Sequence, residues 1–420
     1  MTAAPDVVFL TVDCWRHDAV RLMHDLRAMA ADGWLDRGEA VCQSAATPGV
    51  FPAILGSTYY VSAYGDDDAL RADLPTLPGL LADRGYETGA VVANNPFLEK
   101  FRDEFDFFWN GGSDATEVGR VYAYAKRQLR RRVRHRSVVP APTVGKKARD
   151  WFQAEDGPRF LLMHLMDPHE PYYPGLKRWS GVGPLRARRA LEQLQADRLA
   201  MTREQQATIE RLYRRCVEFV DAHVQSLLSF VPEDAIVVVV GDHGEEFEHG
   251  AYRHARLYDE CVRVPLFARN LPTVASTDRV RQLDLGPSVL DHLGYSLPDG
   301  WQGRPCDGTN RDSFMVNHSP HRAESYVGVR TDRYKYIETL DSETGRQIET
   351  ELYDLATDPG ERRNLAEADH SARRRETLAS KVVEFRERQA IEEGLARGTG
   401  ASSESESGAP RERLEALGYV

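Results

Sequence analysis

Paired cysteines, long apolar runs and an excess of basic charge are all scarce in this chain of 420 residues. The five cysteines (Cys14, Cys42, Cys216, Cys261 and Cys306) are odd in number and scattered, without a CxxC pair. That excludes a disulfide frame and a cysteine zinc cluster, and reads as reduced thiols. No window approaches the roughly 18 consecutive apolar residues of a membrane helix. The opening MTAAPDVVFLTVDCW has no basic start, and its apolar run Val7–Val12 is too short for the core of an export signal. The expectation is a cytoplasmic protein. A formal net charge of −11 argues against a general nucleic-acid binder, so no nucleic-acid partner is expected.

The remaining composition is that of a globular enzyme-sized chain, with 41% hydrophobic and 28% charged residues. Short apolar runs alternate with helical segments. DVVFLTVD (6–13), YETGAVVANNP (86–96), RFLLMHLMD (159–167) and AIVVVVGD (235–242) are strand-like, and each ends in a polar cluster. LPTLPGLLADRG (74–85) and the long segment 203–231 read as helices. This order predicts an α/β fold with a large, mostly parallel or mixed sheet flanked by helices. Beyond about residue 310, YVGVRTDRYKYIETLDSETGRQIETELYDL (326–355) predicts short antiparallel strands around DSETG, followed by a charged helix near 371–396. The division is a main domain 1–310, a small C-terminal α+β subdomain 311–397 and a tail 398–420, whose GTGASSESESGAP has a linker composition.

In parallel sheets ligands bind beyond the carboxyl ends of the strands. Asp13 and Asp242 both stand at such ends, and VVVVGDHGEEFEHG (237–250) crowds carboxylates and histidines directly after a buried strand. Adjacent Asp242 and His243 can reach one metal ion, or Asp242 can simply cap a helix. Asp13 carries the same two readings. His169, in the proline-stiffened loop MDPHEPYY (166–173), suits a general acid or an anion donor, or is a loop histidine bonded to backbone. HGAYRHARLYDE (249–260) adds His254 and Arg256. Thr47, before Pro48 and Gly49, is either a hydroxyl facing the pocket or an N-cap for the helix that FPAIL opens.

In this order the pieces resemble the sulfatase family of the alkaline phosphatase superfamily. The resemblance is carried by VVFLTVDCWRHD, TPGVFPAILGS, LLMHLMDPHEPY, VVVVGDHGEEFEHG, LYDECVRVPLFAR, LDLGPSVLDHLG, VRTDRYKYI and ELYDLATDPGERRNLA, running from Val7 to Ala366. It implies an alkaline-phosphatase-like sheet, metal ligands Asp13, Asp242 and His243, and substrate-side histidines His169 and His254. Thr47 falls at the family's nucleophile position. There the sulfatase signature Cys/Ser-x-Pro-x-Arg, which is oxidised to formylglycine, is missing. Cys42 and Ser44 lack Pro at +2 and Arg at +4. Threonine oxidation would give a ketone, so no formylglycine is expected. Phe51 replaces the motif arginine, leaving Arg16 or Arg256 to contact substrate, and the paired acids after the first strand shrink to Asp13-Cys14.

Thr47 with Asp-His is similar instead to the branch containing lipoteichoic acid synthase and phosphoethanolamine transferases. The resulting expectation is a metal-dependent hydrolase or transferase for an anionic sulfate or phosphate ester, borne on a glycan, a lipid head group or a small molecule. Thr47 is its nucleophile and fourth metal ligand. Mn²⁺ is the first choice of ion and Ca²⁺ the second, with Zn²⁺ and Mg²⁺ as further options. The alternative is a catalytically degenerate binder of sulfated or phosphorylated glycans or of anionic surfaces. The basic run KRQLRRRVRHR (126–136) would suit peripheral contact with an anionic membrane, or is a solvated helix. Thiol titration under denaturing, non-reducing conditions is expected to find all five cysteines free. A count of one or three would mean disulfides and overturn the compartment reading.

Overall fold

The computed structural model describes residues 4–65, 67–111, 139–172, 181–250, 253–319 and 322–391. The basic run 126–136 and the tail 398–420 lie outside the described residues. The strands are β1 (Val7–Val12), β2 (Asp36–Val41), β3 (Glu87–Val92), β4 (Phe107–Asn110), β5 (Arg159–Leu165), β6 (Ile236–Gly241), β7 (Arg263–Arg269) and β8 (Val280–Arg281). They form one sheet in the order β4-β3-β5-β1-β6-β7-β2-β8. The pairings are parallel except around β7, which runs antiparallel to both β6 and β2. The expected mixed, mostly parallel sheet is therefore present. Its central strands β1 and β6 are buried along their whole length, which explains their unbroken apolar runs.

Strand geometry sends alternate side chains to opposite faces. On one face Val8, Leu10 and Val12 of β1, Leu161, Met163 and Leu165 of β5, and Val237 and Val239 of β6 pack against the helix Arg203–Leu228. On the other, Val7 and Phe9 of β1, Phe160 and Leu162 of β5, and Ile236, Val238 and Val240 of β6 meet the helix Thr47–Gly56 through Val50, Phe51, Ile54 and Leu55. The long helix starts with a capping box: Thr202 Oγ1 accepts from Gln205 N, and Gln205 reaches back to Thr202 N.

A second sheet, β9 (Ser313–Ser319), β10 (Glu324–Arg330), β11 (Tyr334–Asp341) and β12 (Gln347–Asp354), is antiparallel throughout, with DSETG as its expected turn. The helix Ala372–Arg388 covers it through Leu378, Val382 and Phe385. This subdomain is anchored to the main sheet's loops by charge. Lys335 of β11 is fully buried. Its Nζ pairs with Asp259, lies 2.7 Å from Glu361 Oε1 and donates to Leu257 O at 3.0 Å. Arg330 of β10 also donates to Asp259, at 2.9 Å from Nη2. Removing one partner of a buried ion cluster strands the others. Lys335→Met is expected to lower the urea unfolding midpoint, by the equivalent of roughly 3–5 kcal/mol. An unchanged midpoint would show that the cluster does not hold the subdomain.

Candidate active site

The site begins with strand register. Val12 of β1 pairs with Gly241 of β6 and with Leu165 of β5, so the next residues, Asp13 and Asp242, leave the sheet side by side. Their backbones still follow the ladder, Asp13 N donating to Leu165 O (2.8 Å) and Asp242 N to Val12 O (3.1 Å). By the same alternation Thr11, Asp13, His164 and Asp242 all lie on the face that the helix Thr47–Gly56 covers. Two buried like charges at one level need compensation.

Three kinds of group supply it. Asp242 Oδ1 accepts from His243 N (2.6 Å) and Cys14 N (3.2 Å). His243 Nε2 lies 3.6 Å from Asp13 Oδ1 and 3.7 Å from Asp242 Oδ2, and His164 Nε2 lies 3.6 Å from Asp13 Oδ2. Thr47 Oγ1 donates to Asp242 Oδ2 at 3.1 Å, and stands 3.3 Å from His243 Nε2 and 3.5 Å from Asp13 Oδ2. All five side chains are fully buried. The carbonyls of Gly241 and Asp242 are held by Gln282 Nε2 at 2.7 and 2.8 Å, which fixes the turn carrying Asp242 and His243.

Thr47 is not the N-cap of its helix, as one reading of the sequence had it. Ala46 holds that position, and no side chain caps the helix, so the Thr47 hydroxyl turns to the carboxylates instead. The helix start is pressed close to its surroundings. A Cβ on Gly49 would meet Ser44 Oγ at 2.1 Å, which is why glycine follows Pro48. Pro52 has no N–H for the carbonyl of Pro48, and the Tyr64 hydroxyl donates to that carbonyl at 2.9 Å. Ser44 faces away from the cluster and donates to Asn317 Oδ1 at 2.7 Å. Cys42 donates to Asp242 O at 2.9 Å.

The expected histidines gather beside this core. The ring of His254 lies 4.4 Å from that of His243 and 5.4 Å from that of His169. His169 Nδ1 is bound to Glu170 O at 2.6 Å. Arg16 and Arg256, expected at the substrate, are instead engaged elsewhere. Arg16 donates to Asp18 (2.8 Å), Glu260 (2.7 Å), Glu248 (3.0 Å) and Glu245 O (3.0 Å). Arg256 forms a two-pronged pair with the buried Glu246 and donates to His249 O at 2.8 Å. Sequence reasoning had passed over His164, Glu245 and Asn95. A single histidine inside the apolar run of β5 was the available signal for the first. His164 Nδ1 meets Thr11 Oγ1 at 2.9 Å and its Nε2 meets Asn95 Nδ2 at 3.2 Å, so the ring is oriented from both sides.

The residues present fit a divalent metal. Asp13 Oδ1 is buried without a hydrogen-bond partner among the described residues. With Nδ1–H of His243 donated to Gly244 O at 2.9 Å, its Nε2 is left as a lone-pair donor. Asp13, His164 and Asp242 also offer ligand atoms within 4.8 Å of one another. Burial opposes the Asp13 carboxylate, but His169, His164 and His243 hold it well below the usual range. Burial and then the charge of Asp13 push Asp242 up to about 6.

The sheet edge thus brings carboxylates, imidazoles and one hydroxyl together, a set that could hold a metal ion. Comparison with known proteins gives it a family. The Sulfatase family model matches residues 5–295, and a model for the N-sulphoglucosamine sulphohydrolase C-terminal region matches 247–388. The chain belongs to the sulfatase family. It is 26% identical over 229 residues to arylsulfatase K of Rattus norvegicus, covering 50% of this chain and 38% of the relative. It is 31% identical over 167 residues to a delta 4,5-hexuronate-2-O-sulfatase of Bacteroides thetaiotaomicron, covering 35% of this chain and 34% of the relative. The matches thus span well under two thirds of these relatives. In structure it resembles a protein solved with its substrate D-glucosamine-2-N,6-O-disulfate (TM-score 0.68, 15% identity, 93% of this chain and 99% of that one). It also resembles the phosphonate monoester hydrolase of Agrobacterium radiobacter (TM-score 0.69, 16% identity, 92% and 96%). Members of the family usually bind a divalent metal, for which the ligand groups here are in place.

Since Asp242 is raised from 3.8 to about 6, the metal-free protein keeps a proton there in mildly acid solution, and an entering cation must displace it. Against its burial, the Asp242 and Asp13 carboxylates also raise His243, so divalent-metal affinity is expected to strengthen as pH rises through about 6 and beyond, with protons released from Asp242 and His243 as the ion enters. Calorimetry in buffers of different ionisation enthalpy reads both. An affinity flat from about pH 5 to about pH 8 would contradict a proton held on Asp242 in the metal-free protein.

Proposed function

We propose that the protein is a metal-dependent hydrolase or transferase of sulfate or phosphate esters, with the Thr47 hydroxyl as nucleophile. What supports this reading is the position of that hydroxyl at the first turn of a buried helix, within 3.1–3.5 Å of Asp242, His243 and Asp13. A divalent ion held by Asp13, Asp242, His243 and Thr47 would polarise a non-bridging oxygen of the ester and favour the ionised hydroxyl. Mn²⁺ suits this mixture of carboxylate and imidazole best, with Ca²⁺ second and Zn²⁺ or Mg²⁺ as further options.

The chain's own groups divide the remaining work. Thr47 Oγ1 attacks sulfur or phosphorus in line, forming the new ester bond as the bond to the leaving oxygen breaks. Its proton passes to Asp242 Oδ2, already its hydrogen-bond acceptor. Burial and then His243 bring His254 down to about 4, so that ring is uncharged at neutral pH. Glu245 is brought down to about 2, where His254 and then His169 outweigh its burial. His169, whose Nδ1 is held by Glu170 O at 2.6 Å and whose ring stands 5.4 Å from that of His254, is the residue proposed to protonate the leaving oxygen. The threonyl ester is then released to water or to an acceptor alcohol. Of the proteins named above, one is a hexuronate-2-O-sulfatase and one was solved with a disulfated glucosamine, and an anionic sugar or small-molecule ester is the substrate proposed here. A reducing, cytoplasmic location goes with the five thiols.

A second reading, a sulfatase-fold binder without turnover, has its own support. Phe51 stands at the motif arginine's position and packs edge-on against His164, with ring centres 5.1 Å apart, while Arg16 and Arg256 are paired with carboxylates. Metal-loaded protein assayed on aryl sulfate, aryl phosphate and bis-aryl phosphate separates the two. Turnover is expected, fastest on the diester, and Thr47→Ala should lower the rate by ~10³-fold or more. Thr47→Ser should keep part of the rate, and peptide mass should show Thr47 unmodified. Near-wild-type turnover by Thr47→Ala, with loss in Ser44→Ala or Cys42→Ala, would move the nucleophile. Binding of a sulfated sugar with no turnover on any ester would establish the second reading.

A further inference from the structure

Cys14 follows Asp13 and stands where the carboxylates and imidazoles converge. Its backbone is in the left-handed region, with φ of 56°, which β-carbon-bearing residues adopt at a cost. It is pinned there from both sides. Its N–H donates to Asp242 Oδ1 at 3.2 Å, and its carbonyl accepts from the Tyr213 hydroxyl at 2.8 Å. The thiol is fully buried, and its Sγ belongs to two sets of ligand atoms lying within 4.8 Å of one another. One set includes His243 and His254, the other Asp13 and His169.

Two separations carry the argument. Cys14 Sγ lies 3.7 Å from His254 Nδ1, and the same nitrogen lies 3.5 Å from Glu245 Oε2. The second distance is long for a hydrogen bond between such groups, and both match the spacing of neighbouring ligands on one ion. Tetrahedral zinc, with sulfur at about 2.3 Å and nitrogen or oxygen at about 2.0–2.1 Å, sets S and N about 3.6 Å apart and N and O about 3.4 Å apart. A second, independent sign is that two buried carboxylate oxygens beside this group, Asp13 Oδ1 and Glu245 Oε1, have no hydrogen-bond partner among the described residues. Each keeps a lone pair that a cation could take.

We propose that Cys14 is a thiolate ligand which, with His254 Nδ1 and flanked by His243 and Glu245, gives this sheet edge a binding position for a thiophilic divalent cation of the zinc class. The inference rests on the reading of this edge as the metal-dependent ester centre, and refines which cation it accepts. On binding, the S–H bond breaks, a sulfur–metal bond forms, and the proton leaves to solvent; no oxidant or reductant is required. A thiolate favours Zn²⁺ and Co²⁺ over Ca²⁺ and Mg²⁺, so the position selects against the abundant hard ions.

The test uses Co²⁺ as a spectroscopic substitute for zinc on the full-length protein, and does not depend on turnover. Wild-type protein titrated with Co²⁺ is expected to develop a sulfur-to-cobalt charge-transfer band in the near ultraviolet, and stoichiometric Zn²⁺ should abolish it. Cys14→Ser should lose the band and bind Zn²⁺ more weakly by over ~10²-fold, beyond the roughly 10–100-fold that loss of an outer-shell partner costs. His254→Ala should lower Zn²⁺ affinity in the same direction. Absence of the band in the wild type overturns the proposal, whether or not any variant folds. So does a band that survives Cys14→Ser, which would assign the sulfur to another cysteine. Protein that turns over esters with Mn²⁺ yet shows no sulfur band would lose this inference and keep the function. Protein that shows the band but turns over nothing would keep the cation position and lose the ester-cleaving reading.

Discussion

The parallel pairing of β1 with β6 sets two buried carboxylates side by side, and the rest of the site is what that pairing requires. Register alone decides it: once Val12 is opposite Gly241, Asp13 and Asp242 emerge at one level and on one face. Charges of one sign cannot be packed together without donors or cations around them. The backbone N–H groups of Cys14 and His243, the rings of His164 and His243 and the hydroxyl of Thr47 meet part of that need. Asp13 Oδ1, without a hydrogen-bond partner among the described residues, marks the part they do not meet.

The nucleophile candidate is placed by packing rather than by capping. The helix Thr47–Gly56 lies flat on the same face because its apolar residues fill the space over β1, β5 and β6, and its first turn then overhangs the carboxylates. The second sheet takes part in this. Asn317 of β9 accepts from Ser44 and donates to Ala255 O at 2.7 Å, joining the segment before Thr47 to the one carrying His254. Asp259, a few residues further on, is held by Arg330 and Lys335 of that sheet. A subdomain without a residue in the central cluster thus sets the position of the loops that build it.

Charge is arranged unevenly around the centre. Arg16 is paired with Glu260, Glu248 and Asp18, and Arg256 with Glu246. Phe51 against His164 makes one wall apolar where the family signature places an arginine.

The sequence by itself determined the strands, the long helix and the strand-end acids. Apolar runs such as VVFLTV and IVVVVG are local signals of buried parallel strands, and a polar residue closing such a run has few places to go. Asp13, Asp242 and His243 were legible for that reason, and the ordered words of the family supplied Thr47, His169 and His254. Tertiary structure decided what local pattern does not encode. His164 and Glu245 carry no local signal of their partners until register and loop packing bring them to Asp13 and His254. Arg16 and Arg256 read as substrate contacts until their carboxylate partners, remote in sequence for Arg16, come within reach. Cys14 read as a missing acid until its left-handed backbone placed sulfur beside His254. A residue's type fixes what chemistry it can perform, and only the meeting of distant segments fixes which partner it performs it with.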